Sequence, residues 1–126
     1  GALFIDYGYE KEKKVSTLQS VKKHKFYDIR KNTGNADITS LINFNLYKKY
    51  FYSEGLEVEN VINQSEFLQK MGILERVKLI SDKMERKRKI DLYSRVQRLI
   101  NPKMMGKNFK VIFAKNKKSK FSLPFK

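Results

Sequence analysis

The chain opens on ALFID (2–6), a short continuous apolar run closed by an acid. A run without alternation predicts a strand buried on both faces of a parallel sheet, with Asp6 marking its carboxyl end. Tyr7-Gly8 breaks the run, and the polar stretch 9–14 reads as a loop. Residues 15–42 keep no sustained period, and Asn32-Thr33-Gly34-Asn35 is a strong turn signal within them. Segment 9–42 therefore reads as an insertion after the first strand, and Phe26, Tyr27, Ile29 and Ile38 predict that it packs. Beyond it the period becomes helical. Asn43 predicts an N-cap for 44–54, with Phe44, Tyr47 and Phe51 as the buried stripe and Gly55 as a left-handed stop. Residues 56–62, LEVENVI, predict a second strand of imperfect alternation. Ser65 is expected to cap a short helix through Phe67, Leu68 and Met71; Gly72 interrupts it, and Leu74, Val77 and Ile80 continue its stripe. A helix from about 87 to 100 is expected to bury Leu92, Tyr93, Val96, Leu99 and Ile100 and to end at Asn101-Pro102. FKVIFA (109–114) predicts a third strand, and 115–126 a basic tail.

Three strands with helical crossovers make an α/β layer structure. A first strand buried on both faces needs more neighbours than two. The chain also begins at Gly1 without an initiator methionine, so 1–126 reads as a single partial domain of something longer.

Composition narrows the function. With 40% hydrophobic and 33% charged residues, the 126-residue chain is globular rather than disordered. The absence of cysteine removes disulfides, thiolate metal sites and cysteine nucleophiles, and a single histidine, His24, argues against zinc, so no metal is expected. No apolar run approaches the 18 or so residues of a membrane span. The net charge of +15 invites a nucleic-acid reading, but it is unevenly placed. Residues 1–64 carry ten Lys/Arg against eight Asp/Glu, whereas 65–126 carry eighteen against five, mostly in 83–89 and 115–120. Lysine outnumbers arginine 22 to 6, asparagine and isoleucine are abundant, and alanine is scarce. These are the residues of A/T-rich codons, so genome composition accounts for part of the charge. The basic run 83–89 also lacks the interleaved aromatics on which bases stack, which weighs against nucleic acid as partner.

The candidate chemistry is sparse. No two of the six glycines are close enough to form the G-x-G turn that cradles a nucleotide cofactor, and no P-loop or nucleophile elbow is present. A polar group remains around the insertion: Asp6, Tyr7, His24, Asp28, Asp37 and Thr39. Asp6 either lines a ligand site at the carboxyl edge of the sheet or caps a turn. His24 and Asp28 bring imidazole and carboxylate near each other in sequence or serve structure, and Asp37 caps a turn or lines the same site.

Several segments occur in fixed order: GALFIDYG (1–8), HKFYDIRKNTGNADITSLINF (24–44), QSEFLQKMGI (64–73) and NPKMMGKNFKVIFA (101–114). Together they resemble the C-terminal half of the MidA-like family of class I S-adenosylmethionine-dependent methyltransferases. Its mitochondrial members are protein arginine methyltransferases needed for respiratory complex I assembly. The resemblance implies the C-terminal part of a Rossmann-like α/β sheet, with 2–6, 109–114 and 56–62 as strands five, seven and six, in the order 5-7-6 and the last antiparallel. It implies S-adenosylmethionine as cofactor, bound mainly by an N-terminal half that this sequence does not include. It also implies a protein substrate, such as a respiratory complex subunit, and pairing with the missing half or with a second copy. The substrate side would fall to Asp6, Tyr7, His24, Asp28 and Asp37, because carboxylates orient a guanidinium and disperse its charge.

Three departures stand out. The family's Pro-Gly turn is Thr33-Gly34 here, its Val-Asp-Phe is Ile42-Asn43-Phe44, and Arg30 replaces an apolar residue. The resemblance implies a fragment inactive by itself; a basic RNA-binding or assembly module and a nonfunctional split-gene remnant stay open beside it. The A/T-rich bias suggests a bacterial cytoplasm, and the family's mitochondrial members suggest the matrix as alternative.

Overall fold

The computed structural model describes residues 1–11, 16–23, 25–31 and 34–121. Its axis is the last strand, β8 (Phe109–Lys115). Along one edge β8 pairs antiparallel with β1 (Ala2–Tyr9), from Ala2 opposite Ala114 to Tyr7 opposite Phe109. Its other edge takes two short stretches, β6 (Glu57–Val58) and β7 (Ile62–Asn63), both antiparallel. A further stretch, β5 (Ile42–Asn43), joins the far side of β1 in parallel through Gly8 and Tyr9. The first and last predicted strands and the 56–62 segment thus stand in the expected order, with the last antiparallel between the others.

Segment 56–62 is not one continuous strand. Val58 lies opposite Ala114 and Ile62 opposite Val111, so four steps on one side match three on the other. The surplus residue forms a bulge, which accounts for the imperfect alternation. At the open end, Glu57 faces Lys115 and pairs with its ammonium at 3.4 Å.

Alternation along β8 divides the core in two. Val111 and Phe113 meet Ile62 and Phe67 beneath α2 (Gln64–Lys70). Ile112 and Ala114 meet Phe44 and Val58 beneath α1 (Phe44–Ser53). Helices cover both sides of β8, so its apolar run is continuous. A third cluster, Val77, Val96 and Ile100, joins α3 (Ile73–Ser81) to α4 (Arg86–Ile100). Leu74, Ile80 and Tyr93 fall outside that seam and are exposed, contrary to the expected stripes. Tyr93 instead places its hydroxyl 3.4 Å from Ser81 Oγ.

Local signals explain the helix ends. Asn43 accepts from the Leu46 N–H at 3.2 Å and caps α1 as expected. Gly55, at φ +75°, turns the chain out of it, and the Leu56 N–H returns to the Phe51 carbonyl at 3.0 Å. Ser65 is not the cap of α2. That helix starts at Gln64 behind Asn63, and the Ser65 N–H donates to the Gly106 carbonyl at 3.0 Å, tying the helix to the turn before β8.

Two expectations about burial fail for one reason, missing cover. Leu3, Phe4, Ile5 and Tyr7 on β1 are exposed, because one edge of 2–7 is unpaired and, of these, only Phe4 meets helix rings, Phe51 at 5.3 Å and Tyr47 at 6.4 Å. Residues 16–41 carry a separate antiparallel sheet of β3 (Lys25–Tyr27), β2 (Gln19–Lys22) and β4 (Asp37–Thr39), in that order. Strands of three and four residues present few side chains to the rest of the fold, so Phe26, Tyr27 and Ile38 are exposed rather than packed.

Candidate acceptor site

Between the small sheet and the far half of β1 lies a cavity of about 530 Å³. Asp6 and Tyr7 reach it from β1, Gln19 from β2, and Asp37, Thr39 and Ser40 from β4 and the link to β5. The register explains the grouping. Asp37 lies opposite Val21 and Thr39 opposite Gln19, so alternation sends all four to one face. The Gln19 amide donates to Thr39 Oγ1 at 3.1 Å, and the Leu41 N–H donates to Thr17 Oγ1 at 3.1 Å, which holds the link against the segment leading into β2.

Asp6 sits three residues before the end of β1 rather than at its last position. Its Oδ1 accepts from the Tyr7 N–H at 2.6 Å, and the Tyr7 ring rests on Phe109 with centroids 3.8 Å apart. Lys110 stands directly opposite Asp6 across the ladder, yet its ammonium turns to Asn63 Oδ1 and the Lys107 carbonyl. Among the described residues neither Asp6 nor Asp37 forms an ion pair. The cavity thus holds two carboxylates without an ion-pair partner among the described residues, in a chain of net charge +15.

Asp28 does not join them. It lines a different cleft, and Arg30 binds it through Nε and Nη2, each at 3.3 Å, and through its backbone N–H at 3.0 Å. The Arg30 guanidinium, helped by that N–H, holds the Asp28 carboxyl below the usual carboxylate range. His24 lies outside the described residues, as does Thr33 of the turn. Gln19 and Ser40 went unnoticed in the sequence, where neither polar residue carries a spacing signal.

Gly8, the one glycine just inside the end of β1, is closed off: a Cβ there would strike the Phe44 ring and the Ile42 carbonyl. Gly34, Gly55 and Gly72 have positive φ and serve turns, and no glycine lines the acidic cavity. No group of three acidic, histidine or cysteine side chains suited to a metal occurs among the described residues. No helix is long and apolar enough to cross a membrane.

The sheet, with an antiparallel last strand between two others and helices on both sides, is the C-terminal part of a class I methyltransferase fold. Residues 1–62 match the model of a family of S-adenosyl-L-methionine-dependent methyltransferases. The chain is 34% identical over 113 residues to the mitochondrial protein arginine methyltransferase NDUFAF7 of Xenopus tropicalis, covering 86% of this chain and 25% of that protein. To its Homo sapiens counterpart it is 32% identical over 109 residues, covering 86% and 24%. The structure of an uncharacterised Burkholderia thailandensis protein superposes with a TM-score of 0.85 at 26% identity, over 98% of this chain and 34% of that one. A Burkholderia thailandensis structure holding S-adenosyl-homocysteine superposes at 0.80 and 24% identity, over 98% and 33%. These matches support a likeness of this chain to the MidA-like family of S-adenosylmethionine-dependent methyltransferases. It spans about a quarter of the length of the curated relatives it matches.

Proposed function

We propose that this chain forms the acceptor side of a MidA-like protein arginine methyltransferase, and that Asp6 and Asp37 bind the arginine. The observation that carries this reading is the acidic cavity, whose two carboxylates form no ion pair among the described residues. A guanidinium offers five donors in a planar fork and suits two carboxylates better than an ammonium does. Tyr7, Gln19 and Thr39 supply further hydroxyl and amide groups at its rim. Holding one nitrogen in a fixed direction is the task of such a site, since positioning supplies much of the acceleration in a displacement between two bound reactants.

The cofactor belongs to other residues. With no G-x-G turn, the 126-residue chain by itself is expected to be inactive and to give no binding heat with S-adenosylmethionine in titration calorimetry. Micromolar affinity would refute that part. The acceptor reading is tested with an arginine peptide and its citrulline twin, which keeps the shape and loses the charge. Asp6→Asn and Asp37→Asn should each weaken the arginine peptide about tenfold and leave the citrulline peptide unaffected. Equal binding of the two peptides to the unaltered chain would sink it.

A further inference from the structure

Gln19 borders two clefts. On one side is the acidic cavity, and on the other a cleft of about 540 Å³ lined by Leu18, Phe26, Tyr27 and Ile29. The second cleft has a different chemistry. Its one carboxylate, Asp28, is already neutralised by Arg30. What remains is apolar and unusually open: Phe26 is 77% exposed, and Leu18 and Tyr27 are exposed beside it. A grouped set of exposed large apolar side chains at the rim of a polar cavity marks a surface that another chain covers.

We propose that this cleft takes a bulky apolar side chain of the same protein segment whose arginine enters the acidic cavity. The inference rests on the acceptor reading above and adds a sequence preference to it. Charge complementarity selects the arginine, and continuity through Gln19 places the second contact on the same segment. Cavities of this size are about 10 Å across, so neighbouring centres are separated by about three residues of extended chain. The acceptor is thus a segment with arginine and a leucine- or phenylalanine-sized residue about three positions apart.

Fluorescence polarisation with the full 126-residue chain tests this. The probes are labelled glycine-serine peptides carrying arginine with leucine three positions before or after it. Their controls replace leucine by serine or arginine by citrulline. In one of the two orders, leucine→serine should weaken binding about tenfold to the unaltered chain and less than about twofold to Phe26→Ser. Leu18→Ser should behave like Phe26→Ser. Both side chains are largely exposed, so neither change should disturb folding, which circular dichroism checks. Dependence on arginine with no leucine preference in either order would overturn the inference and leave the acceptor reading standing. A leucine preference relieved by Phe26→Ser but indifferent to citrulline would overturn the acceptor reading, and with it the claim that one segment fills both clefts. A leucine preference that survives both substitutions would place the apolar contact elsewhere and refute the site.

Discussion

Asn43 shows how one residue can be exchanged without loss when its task is geometric. Its side-chain oxygen caps the Leu46 N–H, which a carboxylate does equally well. Asn43→Ala should therefore cost about 1 kcal/mol in urea unfolding, and Asn43→Asp close to nothing. Asp28 has a task of a different kind, set by its neighbour. Its carboxyl is held low first by the Arg30 side chain, so Arg30→Leu should move its titration upward toward the ordinary carboxylate range, as read by side-chain carboxyl NMR. The sign carries over to stability: a depressed folded pKa stabilises above the unfolded value, and the gain is lost as pH falls through the folded one. Arg30→Leu should thus flatten the acid limb of the stability profile. Asp6, Tyr7 and Asp37, which line one cavity, stand out in the sequence because the first strand and the polar residues after it can be read there. Asp28 was not separable from them on sequence alone. It follows β3 while Asp37 begins β4, and these strands flank β2 on opposite edges. Pairing between strands of three or four residues leaves too short a pattern to reveal that.

At the scale of elements, long apolar runs were legible and short strands were not. The periods of α1, α4 and β8 extend over seven to fifteen residues and report much of the faces they bury, although Tyr47 of α1 and Tyr93 of α4 lie exposed. The bulge between Val58 and Ile62 and the small sheet depend on contacts distant in sequence. The open edge of β1 has a direct consequence. Ala2–Tyr7 offers unpaired backbone groups and apolar side chains with no proline and no lysine to discourage pairing. The chain should self-associate with rising concentration in sedimentation velocity, and Ile5→Lys on the uncovered face should reduce that. Phe4→Lys should do more harm, because Phe4 stacks on Phe51 of α1: a loss of about 2 kcal/mol in unfolding free energy is expected. If Phe4→Lys unfolds no earlier than the unaltered chain, the packing of α1 on β1 is not as described.

For the whole molecule, the contrast between acidic cavity and basic exterior matters most. Lys83, Arg86, Lys87 and Arg88 lie exposed at the start of α4 and just before it, far along the chain from Asp6 and Asp37. A surface of this kind attracts polyanions without reading them. Binding to random RNA should be weak and fall roughly tenfold or more between ~50 and ~200 mM salt in filter-binding assays. Submicromolar, sequence-dependent affinity that survives the higher salt would contradict it. Finally, among the described elements the strand at the centre of the sheet comes last in sequence, and its longest partner comes first. On a ribosome, α1 and α2 would emerge before the strand whose two faces they cover. The β1–β8 ladder, with Tyr7 opposite Phe109, closes over all the residues between them, and closure at that sequence separation slows folding. Until β8 is released, the apolar faces of Phe44 and Phe67 have no floor, and during synthesis the chain depends on whatever shields them.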